Sequence, residues 1–287
     1  MTKKMALLII LITITLLILS IGYPILYQLF VNSNQIERQP TETQIIAHRG
    51  ASKLAPENTL SAIEKALELG VDMIEFDIHL SKDGEIIVLH DEMLGRTTDG
   101  SGNVADYTLK ELKTFDAGSW FGDEFKGERI PMLKEVLTLV DGKSTCLIEV
   151  KWNQEGVYKG MEENIVAEIK SFEAENWVIV QSFESSYLEN INQLNPNIQL
   201  GKLLIGSWLL PVPFYFDYQF HWGKFTPPNY ISWVNFYSKR ATPLYIKSLK
   251  KKGVKVGVFT PNSEKDLIKQ INMGVDAVIT DNLDIYY

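Results

Sequence analysis

The sequence is short of cysteine and of positive charge, and each shortage excludes a class of protein. Cys146 is the single cysteine among 287 residues, so no internal disulfide framework can hold the fold. It lies in an apolar run, which favours a buried small side chain over a nucleophile. The net charge is −8 at pH 7, which argues against nucleic acid as the principal partner. Low-complexity segments are also absent, and with 45% hydrophobic residues the chain can build one large domain or two small ones.

A long apolar run opens the chain. Lys3 and Lys4 precede an almost uninterrupted apolar stretch over residues 5–31, longer than the ~20 residues that cross a bilayer. A cleaved signal peptide is the alternative, but its apolar region usually has only about 7–15 residues and ends in small residues. We therefore predict that residues 1–31 form a cytoplasmic stub and an uncleaved transmembrane signal anchor. The two lysines predict a single-pass protein of the cell membrane with its remaining domain on the extracytoplasmic side, after a polar linker over residues 32–43.

An acidic pattern interrupts an apolar strand in the first half of the chain. Residues 74–80 read IEFDIHL, and because side chains alternate along a strand, Glu75, Asp77 and His79 share one face. Carboxylates two residues apart are roughly 7 Å apart at their roots, so both can reach one hard divalent cation. After a turn at residues 82–84, a second apolar segment ends at His90. This arrangement delivers an imidazole to the end of a neighbouring strand.

Strand and helix patterns alternate over residues 44–287, which predicts an α/β fold. The pattern is typical of a distorted (β/α)₈ TIM barrel in one domain, preceded by the one transmembrane helix. Nine strand candidates compete for eight places, and the connection at Asp83 and Gly84 is too short for a parallel crossover. One of the two strands that it joins is therefore expected to be antiparallel or outside the barrel.

Polar residues cluster at the predicted carboxyl ends of the strands, which form the active face of such barrels. Glu75, Asp77 and Glu149 provide three oxygen donors suited to Mg²⁺ or Ca²⁺, although salt bridges to Arg49 and Lys151 are an alternative role for them. The imidazoles of His48 and His90 could act as general acid and base. The cations Arg49 and Lys151 are suited to binding a phosphoryl oxyanion. His79 is expected either to line the pocket or to support it, and His221 is expected to have no catalytic role. Together these groups indicate phosphodiester chemistry.

The order of the motifs resembles the glycerophosphodiester phosphodiesterase family over residues 44–285. The matching pieces include His48-Arg49-Gly50, Pro56-Glu57-Asn58-Thr59, Glu75-Phe76-Asp77, His90-Asp91, Arg96-Thr97-Thr98-Asp99-Gly100, Glu149-Val150-Lys151, Gln181-Ser182-Phe183 and the closing Gly274-Val275-Asp276-Ala277-Val278-Ile279-Thr280-Asp281. No single piece is specific, but their number and order are.

The resemblance implies a barrel related to phosphatidylinositol phospholipase C that hydrolyses glycerophosphodiesters to glycerol 3-phosphate and an alcohol. By position, Glu75, Asp77 and Glu149 match the ligands of one divalent cation, Mg²⁺ or Ca²⁺. His48 and His90 match the acid/base pair, and Arg49 and Lys151 match the phosphate contacts. A catalytically silent binding barrel would have lost at least one of these residues, and all of them are present.

Two departures from the family pattern concern the substrate. Phe259 begins a Phe-Thr-Pro-Asn stretch where the family often has Trp-Thr-Val-Asn, which keeps an aromatic wall for substrate binding. The stretch over residues 208–233 is rich in aromatics and prolines; it is expected to be a loop packed on the barrel or an interfacial patch that contacts lipid. The second possibility favours an alternative activity, that of a lysophospholipase D or other phospholipase-type phosphodiesterase on a membrane lipid.

Overall fold

The computed structural model describes residues 5, 9–10, 12–15, 43–153, 156–208 and 214–285. The chain divides into two units, residues 1–41 with 209–212 and residues 42–208 with 213–287. In the first unit the described residues are helical. Within the described part of the chain, no helix combines the length and the apolar character needed to span a bilayer. Most of the predicted anchor and nearly all of the predicted linker lie outside the described residues.

Eight parallel strands close into a barrel in the second unit, as predicted. In spatial order they run β1, β12, β11, β10, β6, β5, β4 and β2, and β1 pairs with β2 to close the ring. Their bounds are β1 Gln44–Ala47, β2 Met73–Leu80, β4 Thr145–Val150, β5 Val178–Ser182, β6 Gln199–Leu204, β10 Ile231–Tyr237, β11 Lys255–Phe259 and β12 Ala277–Thr280. The fold is therefore a (β/α)₈ barrel.

The ninth predicted strand lies outside the ring. Strand β3, Ile86–Val88, pairs antiparallel with the carboxyl end of β2 through a register that places Leu80 opposite Ile86. Gly84 in the connecting turn has φ 82°, a conformation that glycine adopts without steric cost. The prediction that this short connection leaves one of its strands antiparallel is confirmed.

Helices cover the outside of the barrel and begin at local capping signals. Thr59, Thr242 and Ser263 each accept a backbone N–H of the helix that follows with their side-chain oxygen, as N-caps do. Among the described residues of the second unit, the α-helices are Leu60–Glu68, Leu109–Leu112, Leu133–Val140, Met161–Ser171, Ser185–Leu194, Pro243–Lys250 and Glu264–Asn272, and 3₁₀ turns lie at Val104–Asp106, Asp123–Phe125, Ser238–Arg240 and Leu283–Ile285.

A small antiparallel sheet replaces a helix in the crossover between β6 and β10. Its strands are β7 Gly206–Trp208, β8 Phe214–Phe216 and β9 Phe220–Trp222. The sequence analysis allowed for a loop here, but aromatic side chains on a pleated ribbon stabilise one another across strands. The segment therefore forms strands where the barrel pattern would place a helix.

Two apolar layers hold the barrel together. The larger lies between the strands and the covering helices and includes Phe76, Ile148 and the buried Cys146. The smaller fills the inside of the barrel with Ile46, Met73, Leu147, Ile179, Trp233, Ala277 and Ile279. Along β2 the inward residues continue from Met73 to Glu75 and Asp77, so the interior changes from apolar to acidic toward the carboxyl ends of the strands.

Candidate active site

Three buried carboxylates meet inside the barrel near its carboxyl-terminal face. Strand alternation directs Glu75 and Asp77 inward from β2, and the parallel register sets Asp77 beside Glu149 of β4. One oxygen from each of the three lies within 4.8 Å of the others, and the residues are 1%, 1% and 8% exposed. Three carboxylate oxygens are the donor set of a hard divalent cation, so these side chains fit such an ion.

Neighbouring positive charges stabilise the ionised form of Asp77 more than that of Glu75. Burial, followed by the charge of Asp77, raises the pKa of Glu75 to about 8. Burial would also raise the pKa of Asp77, but Lys151, His90 and Arg49 outweigh it and hold that pKa far below its usual range. Without a cation, Glu75 therefore holds its proton more tightly than an ordinary carboxyl group does. A divalent ion would take the place of that proton.

Two cations border the carboxylates. The Nζ of Lys151 lies 2.9 Å from Oδ1 of Asp77 and 2.5 Å from Oε1 of Glu149. The Nε of Arg49 lies 3.4 Å from Oδ2 of Asp77, and its guanidinium also donates to Glu57 at 2.6 Å. Burial would lower the pKa of Lys151, but Asp77 and Glu149 raise it above its ordinary value. Both side chains are therefore charged, and the predicted salt bridges exist beside the predicted metal cluster.

A tight turn places His48 and Arg49 over the cluster. The backbone N–H of Arg49 donates to Oε2 of Glu75 at 2.9 Å, and that of Gly50 donates to the carbonyl of Glu75 at 3.1 Å. A Cβ on Gly50 would lie 2.7 Å from the backbone of Ala62. Glycine is required here both for its φ of 79° and for this close approach to the helix Leu60–Glu68.

The two histidines each present one ring nitrogen to a carboxylate. Nδ1 of His48 lies 2.5 Å from Oδ1 of Asp281, and its Nε2 lies 3.9 Å from Oε2 of Glu75. Nδ1 of His90 lies 2.6 Å from Oδ1 of Asp91. A neutral imidazole whose Nδ1 donates to a carboxylate keeps Nε2 as the proton acceptor. Each histidine therefore has its Nε2 available for proton transfer.

The surroundings shift the pKa values of the two imidazoles in opposite directions. Burial lowers the pKa of His48, but the hydrogen bond to Asp281 and the charge of Glu75 outweigh burial, so the net pKa is raised above 6.5. For His90, burial dominates and the pKa is lowered, with Lys151 and Arg49 adding to the effect and Asp77 opposing it. Such divergence is typical of paired acid and base groups.

An open cleft of about 560 Å³ lies beside this cluster. Its lining residues are His79, His90, Asp91, Glu92, Met93, Leu94, Arg96, Lys151 and Trp152. The cleft thus gives a ligand access to one of the imidazoles and one of the cations. A catalytic face with a metal-fitting carboxylate triad, two imidazoles and two cations can bind and hydrolyse a phosphodiester.

Comparison with known proteins agrees with this geometry. The model of the glycerophosphoryl diester phosphodiesterase family matches residues 48–285. The chain belongs to this family.

Individual relatives match most of the chain. A glycerophosphodiester phosphodiesterase of Caldanaerobacter subterraneus subsp. tengcongensis is 39% identical over 248 residues, covering 84% of this chain and 95% of the relative. One of Bacillus subtilis is 30% identical over 269 residues, covering 86% of each. Among solved structures, an Oleispira antarctica phosphodiesterase in complex with the product sn-glycerol-3-phosphate has a TM-score of 0.68 at 30% identity, covering 83% of this chain and 92% of the other.

Within this glycerophosphodiesterase-family barrel, the structure brings seven of the eight predicted site residues into one cluster. The contacts given above link Glu75, Asp77, Glu149, His48, Arg49 and Lys151, and His90 acts on Asp77 through its charge. Phe259 ends β11 and makes edge contact with Phe183 at 6.1 Å between ring centroids. Its pocket-wall role stays a prediction.

The other two histidines separate into a supporting and a peripheral one. His79 is buried and places Nδ1 2.7 Å from the hydroxyl of Tyr158 and Nε2 3.1 Å from the carbonyl of His90. Burial lowers the pKa of His79 to about 4, so it is neutral and supports the backbone of His90. His221 lies on the small sheet, 3.2 Å from Asp217 and stacked on Tyr215.

Several site residues escaped assignment from the sequence although their motifs were recognised. Asn58 donates to Oδ2 of Asp77 at 2.8 Å and accepts the backbone N–H of Asp77 at 3.2 Å. Asp281 fixes His48 and is itself held by Asn262 and by Ser52. Because these are long-range contacts, no local pattern could reveal them; only the position of each residue within a family motif could have done so.

A chain of ion pairs joins His90 to Arg49 across the rim of the site. Asp91 binds His90 and also pairs with Arg96. Arg96 reaches Oε1 of Glu57 at 2.7 Å, and Glu57 in turn pairs with Arg49. The network fixes the loops that carry the histidine and the arginine in relation to each other.

Proposed function

We propose that this protein hydrolyses glycerophosphodiesters to glycerol 3-phosphate and an alcohol, using one divalent cation and a pair of histidines. The observation that carries the proposal is the buried Glu75, Asp77 and Glu149 triad flanked by His48 and His90. Membership of the glycerophosphoryl diester phosphodiesterase family and the product named for the Oleispira structure support the substrate class.

The chain's own residues account for binding and proton transfer. Arg49 and Lys151, both charged and part-buried, would bind the non-bridging phosphate oxygens. A cation held by Glu75, Asp77 and Glu149 would supply Lewis-acid stabilisation of charge on the phosphoryl group. Mg²⁺ and Ca²⁺ both suit an all-oxygen donor set.

The two imidazoles divide the proton movements. One histidine accepts the proton of the attacking hydroxyl, from water or from the substrate's glycerol, as the new bond to phosphorus forms. If the glycerol hydroxyl attacks, the product of this step is a cyclic phosphodiester, which a water molecule then opens to glycerol 3-phosphate with the two histidines in reversed roles. The other donates a proton to the departing alkoxide as the old bond breaks, so the charges balance. Asp281 and Asp91 orient the two rings without contacting substrate, and Phe259 is proposed as a wall of the alcohol pocket.

A second activity, lysophospholipase D or phospholipase-type hydrolysis, is favoured by one observation. Trp152 lines the cleft, and Tyr218 of the aromatic sheet stacks on it at 5.1 Å between centroids. A long apolar leaving group could extend along these rings.

We also propose that residues 1–31 anchor the enzyme in the cell membrane, with the barrel on the extracytoplasmic side. The apolar run over residues 5–31 and the lysines before it support this topology. Protease accessibility of the barrel in intact cells, compared with disrupted cells, tests the orientation.

The activity is tested with the full chain in detergent. Glycerophosphocholine, glycerophosphoethanolamine, glycerophosphoglycerol and lysophosphatidylcholine are each supplied with Mg²⁺, Ca²⁺ or EDTA. Release of glycerol 3-phosphate is measured for the first three substrates, and release of choline and lysophosphatidic acid is measured for lysophosphatidylcholine. We expect cation-dependent release that falls by about 10²–10⁴-fold in His48→Ala and His90→Ala, while the matched control His221→Ala is unchanged. Activity confined to lysophosphatidylcholine would favour the second activity. Absence of turnover by the folded protein would contradict both.

A further inference from the structure

The small sheet presents one aromatic face away from the barrel. In its register Phe214 pairs with Trp222 and Phe216 with Phe220, so these four side chains share a face. Phe220 is 78% exposed and Trp222 is 82% exposed. They are the most exposed large apolar side chains in the described ranges, and folding the barrel does not explain them.

The opposite face attaches the sheet to the barrel. Tyr215 packs against the main apolar core and contacts the ring of buried Phe225 at 5.3 Å. Asp217 forms a buried ion pair with Lys202 of β6 at 3.3 Å. The outward aromatic face is therefore held in a fixed position on the barrel.

The charge of this region is opposite to that of the chain. Residues 206–255 contain one acidic residue, Asp217, and eight basic residues, which give this stretch +7 in a chain of net charge −8: Lys224, Lys239, Arg240, Lys247, Lys250, Lys251, Lys252 and Lys255.

Several of these basic residues border the sheet. Lys224 lies two residues beyond the end of β9. Lys252 lies with Nζ 3.2 Å from the Thr226 hydroxyl, and Arg240 lies against Gly206 of β7. Basic side chains therefore lie beside the sheet, and the acidic Glu184 contacts this region through the hydroxyl of Tyr218.

The sheet thus combines exposed aromatic rings with basic neighbours. Phe and Trp beside Lys and Arg are the residues that anchor proteins at the boundary between headgroups and acyl chains. A protein partner would not require this combination of exposed aromatic rings and neighbouring Lys and Arg side chains.

We propose that the outer face of the β7–β9 sheet, with its bordering basic residues, docks on an anionic lipid bilayer. The contact would set the cleft wall at Trp152 against the lipid surface through Tyr218. The docking face is distinct from the anchor and from the hydrolytic residues.

Site-specific probes in the full chain test this docking. Because Cys146 is buried, a cysteine introduced by Trp222→Cys or Phe220→Cys can be labelled alone with an environment-sensitive NBD probe. The labelled chain is reconstituted in vesicles with equal amounts of phosphatidylcholine and phosphatidylglycerol, and quenching by doxyl-labelled lipid is measured. Leu244→Cys, at another exposed apolar position, is the matched control.

We expect a blue-shifted emission and several-fold stronger quenching at positions 220 and 222 than at position 244. The charge reversals Lys224→Glu and Lys252→Glu should weaken the quenching. The same replacement at the exposed Lys110 and Lys265 should leave it unchanged. Equal quenching at all three labelled positions, or none at 220 and 222, would overturn the proposal. Turnover of glycerophosphocholine by the same labelled proteins is measured separately, so failure of docking is distinguishable from failure of the proposed hydrolysis.

Discussion

Asp281 offers a direct test of how the site orients His48. Its Oδ1 lies 2.5 Å from Nδ1 of His48, and the side chains are 32% and 18% exposed. Hydrogen bonds to charged groups contribute about 1.5–3 kcal/mol, and partial exposure places this one toward the lower end. With about 1.4 kcal/mol per factor of ten, Asp281→Asn should lower kcat by about 10–100-fold.

The assay is steady-state release of glycerol 3-phosphate across a pH series. KM should change little, because Asp281 is proposed to orient the imidazole and not to touch substrate. Removal of its charge should lower the pKa of His48, so the limb of the pH–rate profile that belongs to His48 should move to lower pH. Ser52→Ala, which removes a longer 3.3 Å contact to the same carboxylate, is the matched control. An unchanged kcat and pH profile in Asp281→Asn would refute the reasoning.

Three further predictions concern stability. Divalent cation should raise the Tm of the wild type, and Glu149→Gln should abolish that rise, because ligand binding stabilises only the folded state. Gly50→Ala should lower the free energy of unfolding by about 1–3 kcal/mol by urea titration, since a Cβ there meets Ala62 at 2.7 Å and the backbone φ is positive. Burial raises the pKa of Glu168 to about 7; the charge of Glu85 adds to this rise and the charge of Lys134 opposes it. The Oε2 atom of Glu168 has no hydrogen-bond partner among the described residues. The folded state therefore binds this proton more tightly than the unfolded state. Stability should fall as pH rises from about 4.5 to 7, and Glu168→Gln should restore on the order of 1–3 kcal/mol at pH 8.

Each of these predictions can fail independently. A cation-induced rise in Tm that survives Glu149→Gln would place the ion elsewhere. An unfolding curve of Gly50→Ala that matches wild type would show that the turn can move away from the helix. A Glu168→Gln variant whose stability differs from wild type by the same amount at pH 5 and pH 8 would remove the linkage argument.

Local patterns in the sequence anticipated much of the barrel. The alternation around Glu75 and Asp77 placed both carboxylates on one side of a strand, and the shortness of the turn at Gly84 predicted that one of the strands it joins is antiparallel or outside the barrel. These predictions depend on backbone geometry over a few residues, which sequence periodicity reports directly.

Other features required the closed tertiary structure. Only the pairing of β1 with β12 brings Asp281 to His48, 233 residues away, and only the barrel register sets Asp77 beside Glu149. The aromatic insertion gave no indication of which rings would face outward until its strands paired. The sequence by itself determined which groups could perform the chemistry, through residue type and local alternation. Tertiary structure decided which groups meet, because contacts between distant segments depend on strand order, register and closure, which no local pattern encodes.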